Sequence, residues 1–275
     1  MKQYRLNRLF NPKSNKCLDV AIDHGFFNQP DFLTGIENIE KAVKLLVDAD
    51  PDAIQLTAGQ SKHLQKIPGK KKPALVLRTD VANVYGKSLM KRSYSIVLKE
   101  CIERAVSLDA ACVCINLFQI PNAPEVTEQC ILNILEIMPV AHRMGMPVMI
   151  EPLVFKSNGD NMGYSVNGDE NSIIPLVRQA VELGADLIKA DPTADISKYH
   201  KVVETAGDIP VLVRGGGRAP DKELLERTEK LNNQGISGIV YGRNIIQHQN
   251  PKGITLALKS IIHENLSAKE AMKML

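Results

Sequence analysis

The chain has 275 residues, of which 44% are hydrophobic, only 4% are aromatic and none is tryptophan. That length exceeds an ordinary domain but is usual for one (β/α)₈ barrel, and the core has to be built from Val, Ile, Leu and Ala, which suits parallel strands covered by helices. A net charge of +3 is too small for a dedicated nucleic-acid binder and is compatible with small anionic metabolites as ligands.

The N-terminal MKQYRLNRLF lacks the apolar core of a signal peptide and reads as a short extension over residues 1–16. Eight short apolar runs rich in β-branched residues follow, at 18–23, 53–57, 74–78, 111–117, 148–153, 186–190, 211–214 and 238–242. Between them lie stretches with helical spacing, among them 36–47, 95–106, 130–142, 173–183 and 254–262. Gly145 and Gly184 stand where a helix C-terminus needs a glycine. The run GKKK at 69–72 reads as a solvated turn. The polar stretch 156–170 follows the fifth strand and would overhang the mouth of a barrel, as a lid or as a plain solvated loop. Residues 265–275 read as a helical tail.

Eight strand–helix alternations imply parallel strands, because each crossover carries a helix. The count favours an α/β fold closed as a single (β/α)₈ TIM barrel over an open doubly wound sheet, with residues 1–275 forming one domain. No apolar stretch is long enough to span a bilayer. Five cysteines, an odd number with no C-x-x-C pair, suggest neither a disulfide framework nor a zinc site, so a reducing cytoplasm is the expected location. The histidines carry no metal-ligand spacing, and neither metal nor cofactor is expected.

A barrel builds its site at the C-terminal ends of its strands. Those positions hold Asp23 and His24, Thr57, Arg78 and Asp80, Asn116, Glu151, Lys189 and Asp191, Arg214, and Gly242 with Arg243. Lys189, in DLIKADPT, ends a strand that should be buried on both faces. A buried ammonium either loses its proton, becoming a nucleophile for a carbonyl, or finds an ionic partner in Asp191, Glu151 or Asp23. Asp23 and Glu151 end inward-facing registers. In a partly dry pocket a carboxyl pKa can rise enough to shuttle protons; ion pairing with Lys189 or Arg78 is the competing reading. VLVRGGGR (Gly215, Gly216 and Gly217) and GIVYGRN (Gly242, Arg243) follow strands seven and eight, the usual phosphate-binding loops of barrels. His24, Arg78 and Arg214 join these segments as candidate substrate-binding residues.

The combination LDVAIDHGFF, DLIKADPT, VLVRGGGR and GIVYGRNIIQHQNP resembles the archaeal-type class I fructose-bisphosphate aldolase family. That family includes the enzyme processing phosphorylated autoinducer-2 and looks related to deoxyribose-phosphate and tagatose-bisphosphate aldolases. The likeness spans about residues 17–263. It implies a Schiff-base role for Lys189, a partnering role for Asp23, phosphate contacts at Gly216, Gly217, Gly242 and Arg243, and a homo-oligomer. Two positions depart from the family: strand five reads VMIEPL, with Glu151 in place of a proton-transferring tyrosine, and strand three reads LVLRTD, with Arg78 near the usual lysine. The expected function is reversible carbon–carbon cleavage of a phosphorylated ketose or related carbonyl compound through a lysine imine. Acyl transfer to coenzyme A, isomerisation of a phosphorylated dicarbonyl, and a regulatory barrel that binds sugar phosphate without turnover are the alternatives.

Overall fold

A computed structural model of the chain describes residues 1–69, 71–85, 93–159 and 163–275. Eight strands form the barrel: β1 (Cys17–Ala21), β2 (Ala53–Thr57), β3 (Ala74–Arg78), β4 (Cys112–Gln119), β5 (Val148–Ser157), β6 (Leu187–Ala190), β7 (Val211–Arg214) and β8 (Gly238–Tyr241). Each pairs in parallel with the next in the chain, and β8 pairs with β1 through Cys17↔Gly238 to Val20↔Tyr241, which closes the ring. These are the eight strands expected, within a few residues at their ends.

Two apolar layers explain the closure. Outward-facing Val, Ile and Leu side chains such as Val20, Ile54, Leu77, Ile150, Ile188 and Val213 pack under the surrounding helices. Inward-facing residues at the lower end include the small Ala53, Ala74, Cys112 and Cys114, which share a cluster with Met149, Leu187, Leu212 and Val240. Leu9, only 1% exposed, plugs this cluster from the N-terminal extension, with Leu6 and Phe10 beside it. Alternation along each strand therefore sends one set of side chains to the helices and the other into the barrel.

The helices begin and end on local chemistry. Asn38 accepts a hydrogen bond from the Lys41 amide at 3.0 Å to start Ile39–Ala49, and Asn250 caps Pro251–Glu264 in the same way. Pro124–Met144 starts on its proline and stops at Gly145, whose φ is 60°. The tail packs on its own barrel: the Ala268 amide donates to Glu229 of helix Asp221–Asn232 at 2.9 Å.

Part of the helix expected over 95–106 is a strand. Tyr94–Val97 pairs antiparallel with Asp80–Asn83, and the helix starts only at Cys101. The buried Ser95 hydroxyl donates to Asp80 at 3.1 Å, so tertiary pairing overrides the helical spacing. The stretch 156–170 begins as a hairpin: β5 runs on to Ser157 and pairs with Tyr164–Val166. Lys70 of the basic run and residues 160–162 of this stretch lie outside the described residues.

Candidate active site

All the candidate catalytic and substrate-binding residues except Gly217 line one cavity at the C-terminal mouth of the barrel, walled by Phe27 and Phe32, while Thr57, Asp80, Asn116 and Asp191, also at strand ends, are not in its lining. Within it Lys189 Nζ lies 3.1 Å from Glu151 Oε2 and donates to Gln55 Oε1 at 3.3 Å. Gln55 Nε2 in turn donates to Asp23 Oδ2 at 2.6 Å. Lys189 thus meets Glu151 directly and Asp23 through the Gln55 amide.

Two arginines tie these groups together. Arg78 donates from Nε to Asp23 at 2.8 Å, from Nη1 to Asp80 at 3.4 Å, and from Nη2 to Glu151. Arg214 approaches Glu151 Oε1 at 3.2 Å through Nε, pairs with Asp191 at 3.0 Å through Nη1 and donates to the Tyr85 hydroxyl at 2.8 Å. Arg78, Glu151 and Lys189 are almost wholly buried. Three cations inside a barrel require such partners, because an unpaired buried charge is far more costly than a paired one.

The carboxyl groups are pushed apart in acidity. Burial alone would raise Glu151, but Lys189, Arg78 and Arg214 outweigh it and hold the carboxyl well below the usual range. Burial is outweighed in the same way at Asp23, chiefly by Arg78. Of the two readings open for these carboxyls, ion pairing fits the geometry: Arg78 faces both and Lys189 pairs with Glu151, and both carboxyls are held ionised. Asp80 and Asp191 are raised by burial that their partners offset only in part. The largest rise falls on Asp19, which burial pushes to about 7 against the pull of Lys189. His24 is lowered by burial, and its Nε2 has no protein partner.

The glycine segments form one wall. Gly216 adopts φ +64°, and Arg243 Nη2 donates to its carbonyl oxygen at 3.1 Å while the guanidinium stacks over Phe32 at 4.6 Å. Asn244 Nδ2 donates to the carbonyl oxygens of Gly215 and Gly217 at 3.2 and 3.1 Å and staples the loop after β7 to the turn after β8. A side chain at Gly242 would come within 2.4 Å of the Ala21 carbonyl oxygen, so that position needs glycine for the close approach of β8 to β1.

The model of the DeoC/LacD family aldolases matches residues 17–248. The chain belongs to the DeoC/LacD aldolase family. Curated relatives include the 3-hydroxy-5-phosphonooxypentane-2,4-dione thiolase of Klebsiella pneumoniae, 30% identical over 98% of this chain and 83% of that protein. The Salmonella typhimurium thiolase of the same name is 29% identical over 99% of this chain and 86% of its own length. Among solved structures, an archaeal fructose 1,6-bisphosphate aldolase shares the fold with a TM-score of 0.76 at 22% identity, covering 96% of this chain and all of the other. So does an archaeal fructose-1,6-bisphosphate aldolase whose catalytic Lys is covalently bound to the carbinolamine intermediate of the substrate, with a TM-score of 0.74 and 22% identity, over the same shares of the two chains.

Several residues of this family member's site were not singled out from its sequence. Gln55 and Asp19 carried a signal, since each is a polar residue on the inward register of a strand otherwise apolar. Asn244 stood beside the Gly242–Arg243 turn and could have been read as its staple. Tyr85 had no local signal: it lies 129 positions from Arg214, the residue it partners.

Proposed function

We propose that the chain is a class I aldolase that forms an imine between Lys189 and a phosphorylated ketose or related small carbonyl compound. The observation that carries this reading is the placement of Lys189: a buried amine at the end of β6, facing the cavity, 3.1 Å from a carboxylate. The Lys189 amine adds to the carbonyl carbon, and loss of water leaves an iminium. A base removes the proton of the hydroxyl on the β carbon, two carbons from the iminium carbon. The bond between the α and β carbons breaks and its electron pair flows toward the iminium nitrogen, releasing an aldehyde and an enamine. Protonation and hydrolysis of the enamine return the lysine. Glu151, ionised and adjacent, stabilises the iminium cation and moves protons at its nitrogen. Asp23 acts through Gln55.

Arg78 and Arg214 spend their donors on carboxylates and Tyr85, which suits them to fixing Glu151. The phosphate falls to the N–H groups of Gly216 and Gly217, the Gly215 N–H donating instead to the Val240 carbonyl oxygen, and to Arg243, which has no carboxylate partner among the described residues. His24 lines the same wall as a neutral donor. Residues 1–275 act as one domain in a homo-oligomer, and the free, buried state of all five cysteines suits a reducing cytoplasm. Among the described residues no helix is long and apolar enough to cross a membrane.

The test is borohydride reduction in the presence of phosphorylated ketoses and dicarbonyls. A mass adduct on the peptide carrying Lys189, absent in Lys189→Ala, is expected. Failure to trap any adduct under conditions that label a known Schiff-base aldolase overturns the imine. The relatives named as thiolases favour one second reading, transfer of an acyl fragment to coenzyme A from a phosphorylated dicarbonyl. Product formation that requires coenzyme A would establish it over aldol cleavage.

A further inference from the structure

The barrel interior holds a carboxyl group that the reaction above does not use. Asp19 is 0% exposed, and both of its oxygens are buried without a protein hydrogen-bond partner. It stands on β1 in register with Ala53 of β2 and Val240 of β8, both interior residues. Two residues further along β1, Ala21 pairs with Gln55, the acceptor for Lys189. Asp19 therefore lies one layer below the Lys189–Gln55 contact. The groups acting on it are Lys189 from β6, Asp23 beyond β1, Arg78 from β3 and Glu151 from β5, and the thiols of Cys17 and Cys112 stand nearby. Of these charges Lys189 acts most strongly. Both cations are already engaged elsewhere, by Asp23 and Glu151.

We propose that Asp19 is a positioning residue for Lys189, a buried carboxyl group whose charge controls how far the lysine is held as its ammonium. The inference rests on reading Lys189 as the imine-forming amine. Ionised Asp19 favours the ammonium, and neutral Asp19 favours the free amine that attacks a carbonyl. A carboxylate with no donors in a dry interior binds a proton readily, and burial raises Asp19 to about 7, so the changeover falls near neutral pH. The exchange from Lys189–NH₃⁺ and Asp19–COO⁻ to Lys189–NH₂ and Asp19–COOH conserves protons and net charge. A proton lost at Lys189 is matched by one bound at Asp19, and the interior gains no charge when the nucleophile forms.

The experiment is competitive acetylation of the full chain with acetic anhydride from pH 5.5 to 9. Labelling of the Lys189 peptide is read by mass and normalised to an exposed lysine. The wild-type profile is expected to flatten above pH 7, where the paired exchange makes the amine fraction independent of pH. Asp19→Asn should coincide with it below pH 6 and label at least about threefold faster at pH 8.5, a tenfold change being one pKa unit of coupling. Profiles that coincide throughout, or that differ by a constant factor as a merely structural role would produce, overturn the proposal. Asp19→Glu should restore the flattening. If neither variant folds, the wild type decides, because a straight unit-slope rise through pH 7 overturns the proposal by itself. An absent borohydride adduct with a flattened acetylation profile would count against the imine and leave the Asp19 coupling standing.

Discussion

Glu151 and Asp19 give folding opposite responses to pH, although they sit in adjoining layers of one barrel. The Glu151 carboxyl is held well below its ordinary 4.5 by three cations. As pH falls, the unfolded chain takes up this proton first, so the stability Glu151 contributes is present above about 4.5 and is lost on acidification. Asp19, near 7 against an ordinary 3.8, takes up its proton first in the folded chain. Its contribution is complete below about 4 and is lost as pH rises through 7. Asp19→Asn should therefore gain a few kcal/mol relative to wild type between pH 4 and pH 8, read from urea unfolding at both values. An unchanged difference would mean that Asp19 titrates as an ordinary aspartate. Glu151→Gln removes the counter-charge of Lys189, Arg78 and Arg214 together. It should lower turnover about 10²–10⁴-fold and cost about 3–5 kcal/mol of stability. Full activity in that variant would transfer the proton-moving role to another group.

At the scale of elements, the strands were legible because burial on both faces demands continuous apolar runs, as in Val211–Leu212–Val213 and Ile239–Val240–Tyr241. Lys189, Glu151, Arg78 and Asp23 were legible for a related reason: each is a charge set into such a run. Their acidities were not, because the arginines that hold Glu151 and Asp23 ionised come from strands remote in sequence. Tyr94–Val97 was misread because its partner Asp80–Asn83 cannot be inferred from local spacing. The glycines at the two ends of β8 separate structural from functional demands. Gly238 has φ +149°, and a side chain there would stand 2.0 Å from the Cys17 carbonyl oxygen at the floor of the barrel. Gly242 makes the matching approach to Ala21 at the mouth. Alanine at either should cost about 1–3 kcal/mol through backbone displacement. Only Gly242→Ala should also raise KM for a phosphorylated substrate, since it shifts Arg243. Equal KM values in the two variants would remove the turn after β8 from the substrate site.

The molecule as a whole has two poles, a charged mouth and an apolar floor. The floor is closed by the N-terminal extension. Arg5 donates to the Ala110 carbonyl oxygen at 2.6 Å, Lys2 pairs with Asp186 at 2.7 Å, and Leu9 fills the space left by Ala53, Ala74 and Ala111. Small side chains at the base of the strands leave a barrel that cannot close-pack by itself, and a segment with no strand or catalytic signal in its sequence completes the core. Leu9→Ala opens a cavity in that layer and should cost about 2–5 kcal/mol, seen as a lowered urea midpoint. The mouth is held by its own ion pairs, none of which among the described residues reaches the floor, so borohydride trapping on Lys189 should proceed at the wild-type rate at temperatures where the variant stays folded. Loss of trapping in a folded Leu9→Ala chain would show that packing at the floor sets the geometry of the mouth, through the Asp19 layer that separates them.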